Sequence, residues 1–284
     1  MTDDTGRTIL ITGATNGIGL AAARELARRG AHVVMVGHRP EKDKALVADV
    51  IEATGNPHIA YEAADLAVQA EVRALAERVR TAHDRLDVLI NNVGGFFQQR
   101  RVTPEGYEMT WALNHLNTVL LTWELRDLLR SGAPARVINV ASDAHRGARK
   151  IAFDDLQAEA GYRAFTAYSH SKLAMIMLTY ALARRWEDTG VTVNAVHPGF
   201  VDTGFYRYLP KVVRWLFKPI LSLIAKSPEE GAETLVYLAV SPEVADVTGT
   251  YWVDGEQRRS STPSYNLEAQ ARLWDVTQQM IGAT

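Results

Sequence analysis

The run Thr8-Ile-Leu-Ile-Thr12 is almost wholly apolar and only five residues long, the pattern of a strand buried on both faces of a parallel sheet. It breaks at Gly13-Ala-Thr-Asn-Gly17-Ile-Gly19, and an alanine-rich amphipathic helix is expected from there to about Arg29, closed by Gly30. The same alternation then repeats. Strands are predicted at 31–36, 58–63, 86–90, 135–140, 191–196 and 250–253. Helices are predicted at 41–54 and 111–129, at 168–186, and from Ser227 to Val240 with Pro228 in the first turn. One more helix has Val68, Val72, Leu75 and Val79 on its inner face. Connections are short, with no repeat and no Pro/Gly/Ser linker. The pattern predicts one α/β domain over residues 1–284: a doubly wound, mostly parallel sheet of about seven strands with helices on both faces. Ligands of such sheets bind beyond the carboxyl ends of the strands. Function is therefore expected in the loops 13–19, 37–39, 65–66, 91–95, 141–150 and 197–204.

Composition narrows the chemistry. With 47% hydrophobic and 23% charged residues, the chain is of ordinary globular type and can bury a sizeable core. A net charge of -2 gives no basic field for nucleic acid. The absence of cysteine excludes a disulfide scaffold, a Cys-ligated zinc site and a thiol nucleophile. The N-terminus is polar and acidic, unlike a signal peptide, and no apolar run is long enough for a membrane span. A cytoplasmic protein is expected.

Each strand-end loop carries a candidate. Gly13, Gly17 and Gly19 allow a tight turn and close approach to a pyrophosphate, which the following helix N-terminus stabilises. A structural glycine turn is the competing reading. At the end of the second strand, Gly37-His-Arg39 has no acid until Glu41, and Arg39 suits a ribose 2′-phosphate, favouring NADP over NAD. Asp65 is placed either to accept from an adenine amino group or to cap the next helix. Asn91-Asn-Val-Gly94 closes the fourth strand with small residues that let a flat cofactor lie against the backbone, a plain turn being the competing reading. Asn114 sits in an apolar helix and needs partners, either as a core amide or as the holder of a water for proton transfer; His115 and Asn117 read as structural or solvent-facing.

Ser142 ends the fifth strand and is read as a donor to a substrate carbonyl. It is not read as part of a triad with Asp143 and His145, because no nucleophile elbow is present. Tyr168-Ser-His-Ser-Lys172 puts a phenol and an ammonium on one helix face, where the cation favours the phenolate and makes tyrosine a usable acid and base. Such a pair is weak alone. His197-Pro-Gly-Phe-Val-Asp-Thr203 forms a rigid turn suited to the nicotinamide side of a cofactor.

Together these residues resemble the short-chain dehydrogenase/reductase superfamily over nearly the whole chain. The match rests on Thr12-Gly-x-x-x-Gly-Ile-Gly19, Asp65-Leu66, Asn91-Asn-x-Gly94, Asn114, Ser142, Tyr168-x-x-x-Lys172 and Pro198-Gly199, in the family's order and spacing. His197-Pro-Gly, Ala271-Arg-Leu-Trp-Asp-Val276 and Arg39 resemble the retinol-dehydrogenase-like branch. Val93 stands where the family usually has Ala, and Ala141 where that branch often has a second Ser. The hydrophobic anchor preceding this domain in many animal members is missing, so a soluble form is expected.

The resemblance implies a Rossmann-type fold and a catalytic tetrad of Asn114, Ser142, Tyr168 and Lys172. Tyr168 would be the acid for carbonyl reduction and the base for alcohol oxidation, and Lys172 would lower its pKa. A drop of two units needs about 2.7 kcal/mol of differential stabilisation. The implied cofactor contacts are Gly13, Thr15, Asn16, Gly17, Ile18 and Gly19 in the first loop, and Arg39, Asp65 and Leu66 around the adenosine. Asn92, Val93 and Gly94 follow in the fourth loop, and Tyr168, Lys172, Pro198, Gly199, Val201 and Thr203 lie toward the nicotinamide. No metal is implied.

Substrate choice is assigned to about 204–226, dense in apolar and aromatic residues, with Phe96 and Phe97 as further wall. That segment reads as a lid over an apolar substrate, as an ordinary packed amphipathic helix, or as a membrane-surface helix. The expected substrate is a small hydrophobic alcohol or carbonyl compound of retinoid, steroid or long-chain type. The competing function is a non-catalytic NADP(H)-binding regulator on the same fold, although such proteins typically lose the Tyr or the Lys. Wide apolar arcs at 111–130 and 168–186 suit either a homodimer or burial in the core.

Overall fold

The structure, a computed structural model, describes residues 4–200 and 226–283. Among these residues, eight strands form one sheet in the order β3-β2-β1-β4-β5-β6-β7-β8. They are β1 (Thr8–Thr12), β2 (His32–Gly37), β3 (Ile59–Ala63), β4 (Val88–Asn91), β5 (Ala135–Val140), β6 (Val191–His197), β7 (Tyr251–Val253) and β8 (Glu256–Arg258). The first seven run parallel, and β8 pairs antiparallel with β7. The central strands β1, β4 and β5 are buried at every residue, as their largely apolar runs require.

Alternate side chains of each strand enter two different cores. Leu10, Val34, Leu89 and Val137 pack with α3 (Gln69–Ala82), α5 (Asn117–Glu124), α6 (Arg126–Ser131) and α7 (Ala164–Arg185). Ile9, Ile11, Met35 and Ile138 pack with α1 (Gly17–Arg28), α2 (Pro40–Thr54) and α8 (Pro228–Val240). The period-two alternation of strand side chains thus produces the three-layer doubly wound architecture. Among the described residues, no helix is long and apolar enough to cross a membrane.

Three departures from the hydrophobic pattern carry information. The strand β8 is exposed at all three residues, so no apolar run marks it. It is made by a two-residue hairpin at Asp254 and Gly255, both at positive φ, and the Asp-Gly pair was its readable signal. Helix α9 (Leu267–Met280) covers the Ala271–Val276 stretch and buries Leu273. The long helix predicted over 111–129 is divided. A single turn α4 (Met109–Trp111) leads into a π-helical turn at Ala112–Leu116, then α5, then α6. A π-turn admits one extra residue per turn and re-aims the side chains it carries.

That turn buries His115 completely. Its Nε2 meets the Thr277 hydroxyl at 3.0 Å, and its ring lies 4.4 Å from that of Trp111. Burial depresses its pKa from 6.5 to about 3. An unfolded chain therefore takes up this proton first as the pH falls below 6.5, and stability is lost progressively down to about 3. Between pH 7 and pH 5 the loss from this one group is about 2 kcal/mol. Thermal melts at both values should show it, and His115→Gln should flatten the difference.

Candidate active site

The first loop leaves β1 with Gly13 at φ +64° and reaches Gly17 at +50°, conformations that side chains with a Cβ rarely adopt. At Gly19 the constraint is space: a Cβ there would lie 2.4 Å from the Gly13 carbonyl oxygen and 2.5 Å from Asn92 Nδ2. The loop is lashed to its neighbour after β4. The Thr12 hydroxyl accepts the amides of Asn92 (2.9 Å) and Val93 (3.0 Å), and Asn92 Nδ2 donates to the carbonyls of Thr12 (2.9 Å) and Gly13 (3.2 Å). The Asn92 side chain thus shapes the cradle from beneath. Thr15 and Ile18 are buried, and Asn16 is exposed at the start of α1 without capping it through its side chain. The first amides of α1 thus lack a side-chain acceptor, the arrangement that receives a phosphate.

At the end of β2, Arg39 is presented with its side chain two-fifths exposed. Its Nε is buried without a hydrogen-bond partner. Beneath it lies Asp43, a buried carboxylate that accepts the Arg39 amide at 2.9 Å and stands 3.7 Å from Nη2. Tyr61 donates to the same carboxylate at 3.2 Å; desolvation, then Asp43, pushes its phenol up to about 12. The i, i+4 spacing of Arg39 and Asp43 was the sequence signal for this contact. The glycine cradle fits the pyrophosphate of a dinucleotide.

Asp65 accepts the Ala67 amide at 2.9 Å, while the cap position of α3 belongs to Val68. The Leu66 carbonyl is held by Asn117 Nδ2 at 2.7 Å, and Asn117, like His115, is buried rather than facing solvent. Pro198 and Gly199 follow β6, with Gly199 at φ +84°. Val201, Thr203 and the lid segment to residue 225 lie outside the described residues. Phe200 and Lys226, which flank that segment, are joined by a backbone hydrogen bond of 2.8 Å.

The remaining four residues meet where β4, β5 and α7 approach. The π-turn delivers Asn114, fully buried, to the loop after β4: Oδ1 accepts the Gly95 amide at 2.7 Å and Nδ2 donates to the Gly95 carbonyl at 3.0 Å. Nδ2 also donates to Ser171 Oγ at 3.0 Å, which in turn donates to the Tyr168 carbonyl at 2.8 Å. Ser171, buried inside the Tyr168–Lys172 pentapeptide, therefore ties the amide to the helix that carries the phenol. Nothing in the hydrophobic pattern marked it.

Lys172 is 3% exposed and its Nζ donates to the Val140 carbonyl at 2.8 Å. Gly94 faces both Asn114 Oδ1 and Lys172 Nζ, each 3.4 Å from where a Cβ would stand. Ser142 begins a short 3₁₀ turn at Asp143–Gly147, its Oγ accepting the Ala144 amide at 3.2 Å. Its hydroxyl is also hydrogen-bonded to Tyr168, and Phe96 packs edge-on against the Tyr168 ring at 5.6 Å.

The electrostatics differ from the simple picture of an ammonium acidifying a phenol. Lys172 Nζ stands 5.7 Å from the Tyr168 ring centroid and points to the end of β5. Burial raises the Tyr168 pKa above 10, and the Ser142 hydrogen bond opposes that rise. Burial also lowers Lys172 to about 8, so its own charge is titratable near neutral pH. Ser142, His145 and Asp143 do not form a relay: His145 Nδ1 lies 2.7 Å from the Ser142 carbonyl, not its hydroxyl, and Asp143 binds Arg146 and Tyr251.

A glycine cradle at the head of a doubly wound sheet, with a tyrosine, lysine, serine and asparagine converging beside it, defines a dinucleotide-dependent oxidoreductase. The sequence profile described as short chain dehydrogenase matches residues 7–212. Mouse retinol dehydrogenase 14 is 39% identical over 98% of this chain and 86% of its own length. Human polyprenol dehydrogenase is 38% identical over 97% and 85%. An uncharacterised protein from Mycobacterium paratuberculosis superposes with a TM-score of 0.81 at 28% identity, covering 99% of this chain and 96% of that one. Pseudomonas aeruginosa RhlG, solved as an NADP active-site complex, gives 0.72 at 27% identity over 93% and 100%. The chain belongs to the short-chain dehydrogenases, in the retinol-dehydrogenase-like branch.

Proposed function

We propose that this protein is an NADP-dependent dehydrogenase/reductase that interconverts an alcohol and a carbonyl on a hydrophobic substrate of retinoid, steroid or long-chain type. The observation that carries the reading is the convergence of Tyr168, Ser142, Lys172 and Asn114 beside the glycine cradle. Tyr168 holds the proton that a carbonyl oxygen takes up on reduction, and accepts it back on oxidation. Ser142 donates to the same oxygen and orients it. Lys172, with a pKa of about 8, binds the nicotinamide ribose and restores the phenol's proton through a water held by Asn114. The bound nicotinamide supplies or receives the hydride.

The hydrophobic substrate is supported by the names of the relatives, which act on retinol and polyprenol, and by the aromatic rings near the phenol. Phe96 packs against Tyr168, and Phe165, one turn earlier on α7, is 57% exposed. The test is NADPH consumption across a carbonyl panel running from small charged aldehydes to retinal and long-chain aldehydes. Fastest turnover on the apolar members is expected. A preference for small charged ones would refute the substrate class.

The cofactor reading has its own test. A charge-assisted contact to a 2′-phosphate contributes about 1.5–3 kcal/mol. Arg39→Ala should therefore lower the NADPH-over-NADH affinity ratio by about tenfold or more, read by fluorescence titration.

A further inference from the structure

His145 is fully buried, and the reading above leaves it without a role. Both its ring nitrogens are engaged. Nδ1 lies 2.7 Å from the Ser142 carbonyl oxygen, which has no hydrogen to give, so Nδ1 carries the proton and donates. Nε2 lies 3.0 Å from the Ser261 amide, which has no lone pair to offer, so Nε2 is bare and accepts. These two partners determine one neutral tautomer. Burial lowers the imidazole pKa, in keeping with a ring that works uncharged.

The two ends of this bridge are far apart in sequence. Ser142 follows β5, and Ser261 lies in the chain beyond β8. The ring of Tyr251, on β7, packs edge-on against His145 at 5.2 Å. Two more contacts join the same surfaces: Tyr251 donates to Asp143 at 3.2 Å, and Arg146 donates to the Arg259 carbonyl at 2.9 Å. The Arg146 contact is exposed, whereas the His145 and Tyr251 rings are both buried. His197, from β6, is the remaining ionisable ring facing it.

We propose that His145 is a positioning residue: its imidazole bridges the Ser142 carbonyl to the Ser261 amide and so holds the Ser142 hydroxyl in register with Tyr168. The inference rests on the catalytic reading of Ser142 above. A hydroxyl at the end of a strand is free to swing unless its own backbone is anchored, and small displacements of an orienting group lower the rate steeply. The Ser142 carbonyl also accepts the His145 backbone amide at 3.1 Å, and the imidazole bridge ties that local turn to the far edge of the sheet. It also predicts that the loop after β8 influences the chemical step without touching the substrate.

Three variants test it in the full-length protein, with NADPH and a carbonyl substrate. His145→Phe keeps a flat aromatic ring, somewhat larger than imidazole, and deletes both nitrogens. Ser261→Pro deletes the amide donor together with a side-chain hydroxyl that makes no hydrogen bond, at a residue whose φ of -69° suits proline. Both should lower kcat, His145→Phe by roughly tenfold, with NADPH affinity unchanged within about twofold. The third is the cycle with Ser142→Ala. If His145 acts through Ser142, adding His145→Phe to Ser142→Ala should slow the enzyme no further.

Parental kcat in a folded His145→Phe, or fully additive losses in the double variant, would overturn the proposal while leaving the role of Ser142 intact. If His145→Phe does not fold, Ser261→Pro decides: parental kcat there overturns the bridge. Parental kcat in Ser142→Ala would instead overturn the catalytic reading itself, and the bridge with it.

Discussion

Tyr168→Phe should lower kcat by about 10²- to 10⁴-fold while NADPH still binds, because general acid–base catalysis contributes on that scale and the ring alone cannot exchange a proton. The substitution removes one oxygen from a half-buried ring and leaves the edge-on contact with Phe96 in place. A stability change is therefore expected to be small beside the rate change. The structure also says how the loss should depend on pH. Burial raises the phenol above 10, and Lys172 titrates near 8. With the phenol protonated over the working range, reduction by the parent should follow the charge state of Lys172 and weaken as the pH rises past about 8. The Tyr168→Phe remnant should lack that limb. Stopped-flow measurement of NADPH oxidation from pH 6 to 10 reads both quantities. A variant that keeps more than about a tenth of parental kcat would remove Tyr168 from the chemical step.

The second large effect is expected at the cradle. Gly19→Ala puts a methyl 2.4 Å from the Gly13 carbonyl oxygen, well inside van der Waals contact. That carbonyl cannot simply retreat, because Asn92 Nδ2 bonds it and the Thr12 hydroxyl holds the Asn92 and Val93 amides. Overpacking of this kind costs about 1–3 kcal/mol. The strain falls where a pyrophosphate would lie against backbone, so NADPH affinity should drop by at least about tenfold, with the melting temperature lowered by several degrees. Gly161→Ala is the control: nothing stands within 4 Å of its Cβ position, and binding and melting should match the parent. Unchanged NADPH binding in Gly19→Ala would move the cofactor away from this loop.

Side by side, these two residues show where sequence reasoning reaches and where it stops. The spacing of Gly13, Gly17 and Gly19 after a buried strand was legible because glycine's advantage at those points is local, a matter of backbone angle and missing Cβ. The Tyr168–Lys172 pairing was legible for a similar reason, since helix geometry alone puts residues four apart on one face. What those groups do to each other was not. A phenol beside an ammonium was expected to be acidified, whereas desolvation dominates in the folded protein and the ammonium turns to the Val140 carbonyl. Desolvation depends on everything packed around the pair, and spacing does not encode that.

By itself, the sequence determined the parallel sheet, because strands buried on both faces must be apolar at nearly every position, and it determined which strand ends bear glycine, arginine, serine and asparagine. Only the tertiary structure decided that the helix carrying Asn114 opens into a π-turn, that Asp43 packs against Arg39, and that His145, bonded to Ser142, reaches Ser261 across 116 residues of chain. Each of these depends on a buried polar group finding a partner, at long range for His145 and at short range for Asp43. Such a requirement is satisfied by position in space and leaves no period in the sequence.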